Sequence, residues 1–268
     1  MSLRNNYVKH RTKRIGLSEV RASFSFSEKE PICMRYFARP LANVMTPSFY
    51  NLGITADQVI AIRVIIGVLS LIFFGIGDYW TSFIGLIAFA LAYSLDCVDG
   101  NLSRLDGKGN YWGKFIDGYA DDIVLFIVPL AIGVGVWSED GSAAGIIVGA
   151  IASIIALITG TGRHRFSFVR EWMTAKTGPL SDKDNNIIES FDKRRKLPVS
   201  ISMNLYCFSP WLLLLPEGGW IYLSISIGVG ATINIYLIFT LISQANVVLR
   251  RTRQAVHAGQ AVSRDSDE

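Results

Sequence analysis

Six apolar runs, each close to the roughly 20 residues needed to cross a bilayer core, divide this chain. They lie near 56–76, 80–104, 111–136, 142–162, 198–216 and 219–248, and consist mainly of Ile, Leu, Val, Ala, Gly and Phe. Backbone inside hydrocarbon must satisfy its own hydrogen bonds, and a run of this length does so as a helix. The expected fold class is all-α: a polytopic membrane protein with six transmembrane helices. Half of the 268 residues are hydrophobic and the charges gather at a few places, which a soluble globule does not do. Two of the runs are interrupted by acids. Asp96 and Asp99 lie in the second; Asp117, Asp121 and Asp122 lie in the third. One ionised carboxylate in mid-bilayer costs roughly 2.5–3.5 kcal/mol on the insertion scale, so a chain that keeps several uses them.

Charge distribution orients the spans. Basic residues crowd the segment before the first run (from Arg4 to Arg39), the segment between the fourth and fifth (from Arg163 to Lys196) and the tail (Arg250, Arg251, Arg253, Arg264). The short loops at 77–79, 137–141 and 217–218 carry Asp78, Glu139, Asp140 and Glu217 and no Lys or Arg. Both termini and the 105–110 loop are therefore expected on the cytoplasmic side. Four regions follow. Residues 1–34 form a basic, mobile segment. Residues 35–55 form a juxtamembrane amphipathic segment, with Leu41, Val44, Met45 and Leu52 on one face, Pro40 at its start and Pro47 interrupting it. Residues 56–250 form the six-helix domain, and 251–268 a cytoplasmic tail. Thr55 and Gln58 have capping-box spacing at the start of the first span. Pro198 suits the first turn of the fifth, and Pro210 is expected to kink it. No removable signal peptide is expected, because no short apolar core precedes a small-residue cleavage site. Cys33, Cys97 and Cys207 show no metal-ligand spacing; the expectation for Cys97 and Cys207 is burial as small apolar residues.

Residues three or four apart share a helix face. Asp96, Asp99 and Ser103 line one face of the second span; Asp117 and Asp121 line one face of the third. A short loop joins the two spans, so they are expected to be antiparallel neighbours whose acidic faces meet. At about 1.5 Å per residue, Asp96 lies about 24 Å in from the outer end, and Asp117 and Asp121 about 9 and 15 Å in from the cytoplasm. All converge in the inner leaflet. Local cations are Arg104 and Lys114, too few for five acids, and unpaired charge in low dielectric is strongly disfavoured. Bound divalent ions resolve the imbalance. Oxygen-only ligands favour a hard ion, Mg²⁺ or Mn²⁺.

The stretch also resembles a known pattern. Asp96, Asp99, Gly100, Arg104, Gly113, Asp117 and Asp121 fall on D-x2-D-G-x2-A-R-x8-G-x3-D-x3-D of the CDP-alcohol phosphotransferase (CDP-alcohol phosphatidyltransferase) family, with the eight-residue gap intact. One position departs: Ser103 stands where the family has alanine. The match spans 26 residues, and the six-span layout extends it to most of the chain. The resemblance implies that Asp96, Asp99, Asp117 and Asp121 bind two divalent ions. These clamp the diphosphate of a CDP-alcohol. It further implies that Gly100 and Ser103 give close access to the nucleotide, that Arg104 and Gly113 belong to the nucleotide and phosphate site, and that Asp121 is the general base. A hydroxyl acceptor then displaces CMP. The expected activity is that of a metal-dependent transferase of phospholipid or related phosphodiester biosynthesis, in a bacterial cytoplasmic membrane with its site facing the cytoplasm. A homodimer is implied by the resemblance alone, and no nucleic-acid partner is expected.

The donor is expected to be a lipid such as CDP-diacylglycerol with a hydroxyl acceptor, or a soluble CDP-alcohol with a lipid hydroxyl as acceptor. Arg163 and Arg165 after the fourth span could bind an acceptor phosphate, or simply anchor topology and snorkel. Arg63, two turns into the first span, is costly there unless it faces the acidic cavity or a phosphate, which makes it a third acceptor-site candidate. The 163–197 segment covers the cytoplasmic mouth or is a passive insertion. A cation-coupled transporter is the alternative of another class, but no second acidic half accompanies the first.

Overall fold

The computed structural model describes residues 14–23, 31–107, 111–158, 161, 204–205, 207–232, 234–236, 238–239, 242, 246 and 249; for 111–114 and 121–122 it describes the backbone alone. Every element among these residues is helical. Four helices are long and apolar enough to cross a membrane: α3 (Ala56–Ile76), α4 (Tyr79–Leu105), the apolar part Phe115–Asp140 of α5 (Tyr111–Asp140), and α7 (Gly218–Tyr236). Helix α6 (Ala143–Ile158) is apolar but shorter. Two short helices precede them, α1 (Leu17–Ala22) and α2 (Arg39–Asn51).

Local chemistry sets the boundaries. The Thr55 hydroxyl accepts from the Gln58 N–H, and the Gln58 side chain accepts from the Thr55 N–H, closing the expected capping box. Helix α3 stops at Gly77, whose φ of 89° suits only a residue without Cβ. Asp78 then caps α4 by accepting from the Trp80 and Thr81 N–H groups, so α3 and α4 form a tight antiparallel hairpin. Helix α5 runs four residues beyond its expected end at 136, through Glu139 and Asp140. The Trp220 indole N–H of α7 donates to Asp140 at 3.0 Å, tying the two helices.

The juxtamembrane segment differs from expectation in two ways. Pro47 does not interrupt α2, which continues to Asn51. The helical turn before it is a π-turn, Met34–Ala38, ending where Pro40 lacks an N–H to donate. Within residues 1–34, α1 buries Val20, and Ile15 and Asn51 exchange two hydrogen bonds of 3.0 Å. Pro210 lies at the start of a 3₁₀ segment, Ser209–Leu214, after which Leu215 is extended; the first part of the fifth run falls outside the described residues. Residues 159–160 and 198–203 lie outside the description, as do the 163–197 segment and the tail.

Two cores hold the bundle. One gathers Leu71, Phe74, Leu86, Phe89, Val128, Ile132, Val136, Tyr222 and Leu223 from α3, α4, α5 and α7. The other gathers Ala38, Ala42, Val59, Leu95, Cys97, Val98 and Leu102, where α2 lies across the paired ends of α3 and α4. Large apolar side chains such as Ile65, Leu69, Ile72 and Ile76 of α3 remain exposed, the face a helix turns to lipid. Glycine permits close backbone approach between α5 and α6: a Cβ on Gly149 would come within 2.6 Å of the Pro129 carbonyl. Pro129 disturbs the ladder of α5 at this crossing, and the Leu130 N–H finds the Ser153 hydroxyl of α6 at 3.0 Å.

Candidate active site

Leu95, Val98 and Leu102 of α4 are buried in the second core. That packing fixes the rotation of the helix and leaves Asp96 and Asp99, one turn apart, on an adjoining face. Asp117 comes from the second turn of α5. One carboxylate oxygen from each of Asp96, Asp99 and Asp117 lies within 4.8 Å of the others. Among the described residues α3 packs extensively against both α4 and α5, and the acidic side chains of α4 and α5 meet beside it.

Arg63 of α3 occupies the focus of the three acids. Its guanidinium is buried, with 5 % of the side chain exposed. Nη1 donates to Asp96 Oδ1, to Asp99 Oδ2 at 3.4 Å and to Asp117 Oδ1 at 2.9 Å. Nη2 donates to the Asp117 backbone carbonyl at 3.0 Å. The count of local cations as Arg104 and Lys114 alone is thereby corrected: Arg63 is 33 positions before Asp96, and only folding makes it local. It contacts the acid cage, as one sequence reading allowed.

Arg104 is laid back along α4. Its Nη2 donates to Asn101 Oδ1 at 2.7 Å, and the guanidinium lies over Gly100, where a Cβ would stand in ordinary contact with it at 3.5 Å. Gly100 and Ser103 are half-buried. Asn101 is fully buried, and its Nδ2 donates to Thr46 Oγ1 at 3.0 Å and Asn43 Oδ1 at 3.3 Å. Both acceptors belong to α2, so a polar junction seats the juxtamembrane helix on the acid-bearing segment. Asn43, Thr46 and Asn101 escaped the sequence reading. Their signal was present as polar residues at i, i+3 spacing in α2 and an amide inside an apolar run of α4.

Gly113 and Asp121 lie on the backbone of α5, Asp121 one turn beyond Asp117. The surroundings of Gly113 and the side chain of Asp121 fall outside the description. Arg163 and Arg165 lie outside the described residues altogether.

A cavity of about 270 Å³ opens beside α4 one turn before Asp96, lined by Phe37, Phe89, Ala90, Tyr93, Cys207, Phe208 and Trp211. All three cysteines are buried thiols. Cys97 touches the Met34 sulfur at 3.9 Å, and Cys33 lies 3.5 Å from the Tyr93 hydroxyl. The contact with Cys207 holds the Cys33 thiol down, to about 6.

The all-oxygen set of Asp96, Asp99 and Asp117 fits a hard divalent ion. These oxygens already converge on one cationic atom, Arg63 Nη1, so the cage is shaped for positive charge.

A family model described as CDP-alcohol phosphatidyltransferase matches residues 53–232. Among solved structures the chain is similar to phosphatidylinositol phosphate synthase (PgsA1) of Mycobacterium tuberculosis in complex with manganese and citrate, at 19% identity over 79% of this chain and 88% of that one, with a TM-score of 0.43. It is similar to the same synthase with CDP-DAG bound, at 19% identity over 80% and 94% of the two chains, with a TM-score of 0.42. No curated protein matches the sequence.

Proposed function

Given that the chain belongs to the CDP-alcohol phosphatidyltransferase family, we propose that it moves a substituted phosphate group from a CDP-alcohol such as CDP-diacylglycerol to a hydroxyl of an acceptor alcohol, releasing CMP. The observation that carries this reading is the meeting of Asp96, Asp99 and Asp117, from two apolar helices, around one cationic point. Asp96, Asp99 and Asp117 would hold Mg²⁺ or Mn²⁺, and Asp121 completes the ligands of a second ion by the family pattern. When bound, the ions supply charge neutralisation at the diphosphate and at the departing CMP.

The remaining roles belong to side chains. Arg104, held by Asn101 over Gly100, presents its guanidinium to a donor phosphate. Gly100 and Ser103 admit the nucleotide close to α4. The Asp121 carboxylate takes the proton of the acceptor hydroxyl as its oxygen bonds to phosphorus and the bond from phosphorus to the CMP oxygen breaks. The aromatic cavity one turn before Asp96 receives an acyl chain of the lipid substrate. Arg163 and Arg165 bind a phosphate on the acceptor. Residues 56–250 form the catalytic domain with six spans, both termini and the site face the cytoplasm, and the working unit is a homodimer.

The test is CMP release from CDP-diacylglycerol in detergent with Mn²⁺ or Mg²⁺, across a panel of mass-resolved acceptors. Chelation by EDTA abolishes it and either ion restores it. Asp121→Asn abolishes turnover while leaving donor binding; CMP formation that survives this change rejects Asp121 as the base. Ion flux in liposomes without nucleotide favours a transporter instead.

A further inference from the structure

Arg63 engages the same oxygens that a divalent ion needs. An ion held by one oxygen from each of three carboxylates sits at their common focus, about 2.1 Å from each for Mg²⁺. Nη1 of Arg63 already stands there, in contact with Asp96, Asp99 and Asp117. Two positive centres cannot share that point, on grounds of both charge and radius. Nη2 has a separate hold on the Asp117 carbonyl, which costs no carboxylate oxygen. The guanidinium therefore has an anchor that survives if Nη1 is displaced.

We propose that Arg63 is an internal competitor of the divalent ion: its guanidinium closes the Asp96–Asp99–Asp117 cage and must yield the place of Nη1 before an ion enters, so Arg63 sets the ion concentration at which the site fills. The inference rests on reading the three acids as metal ligands. Its physical basis is that buried carboxylates without a counter-charge are strongly destabilising. Arg63 supplies that charge and joins α3, α4 and α5, and the same favourable contacts are subtracted from the affinity of the ion. An arginine with a merely structural role has the opposite consequence, since removing it loosens the cage and weakens ion binding.

The experiment is Mn²⁺ binding to the full chain in detergent, read by electron paramagnetic resonance as loss of the free aqueous Mn²⁺ signal. Wild type is compared with Arg63→Lys and Arg63→Met. Lysine keeps the charge but lacks the planar fork, so its grip on the cage is weaker. Arg63→Lys is expected to bind Mn²⁺ about 3–10-fold more tightly than wild type, and Arg63→Met at least about tenfold. Affinity in Arg63→Lys that is unchanged or weaker overturns the proposal, whether or not Arg63→Met folds. If wild type binds Mn²⁺ but Arg63→Lys gains nothing, this inference alone fails. If wild type binds no Mn²⁺, the metal-site reading fails and takes this inference with it.

Discussion

Replacing Asp99 by Asn separates stability from activity. Asp99 is buried, and its carboxylate lies 3.4 Å from Arg63 Nη1. At an effective dielectric of 20 that attraction amounts to about 5 kcal/mol. The other two acids oppose it. With oxygens no more than 4.8 Å apart, each repels Asp99 by at least about 3.5 kcal/mol on the same scale when all three are ionised, together about 7. Repulsion exceeds attraction by about 2 kcal/mol before any divalent ion is added. The amide keeps the shape and still accepts a hydrogen bond. In EDTA, Asp99→Asn should therefore unfold at a higher temperature than wild type, by about 4–8 °C for a domain of this size. Added Mn²⁺ should stabilise wild type and not the variant. Turnover should fall about 10³-fold, the equivalent of roughly 4 kcal/mol of lost transition-state stabilisation. The assay pairs a tryptophan-fluorescence melt, with and without Mn²⁺, with CMP release from CDP-diacylglycerol. A variant that melts lower in EDTA refutes the charge balance, and one that keeps turnover refutes the role of Asp99.

Gly149→Ala should cost about 1–3 kcal/mol by forcing α6 away from the Pro129 carbonyl of α5, read as a lower melting temperature with KM for the donor unchanged. Asn101→Leu should cost a similar 1–3 kcal/mol by stripping Asn43 and Thr46 of their buried partner; it should also raise KM for the CDP-alcohol, because Arg104 loses its support, whereas a purely structural defect lowers the melting temperature alone. Asp78 is held below the usual carboxylate range chiefly by the Thr81 hydroxyl and N–H. Its capping contribution is therefore full above the unfolded value of about 4 and is lost as pH falls through the lower folded value. The acid limb of a pH–stability curve should flatten in Asp78→Asn.

Much of the site was legible in short-range spacing. Asp96 and Asp99 are three residues apart, and a helix puts them on one face whatever surrounds it. Hydropathy marked α3, α4 and α5 because a lipid-facing helix has no choice of composition. The departures have one cause. Pro47 was read as an interruption and Pro210 as a kink, yet what each does depends on what packs around it: α2 continues through Pro47, whereas Pro210 lies at the start of a 3₁₀ segment. Asn101 looked unremarkable because its partners, Asn43 and Thr46, lie more than 50 positions away.

The sequence by itself determined that this is an all-helical, bilayer-length chain with carboxylates at helical spacing, because hydropathy and helix periodicity are properties of neighbouring residues. Tertiary structure alone decided that Arg63 of α3 meets those carboxylates. Which cation neutralises a buried acid depends on how three helices pack, and no local spacing encodes that.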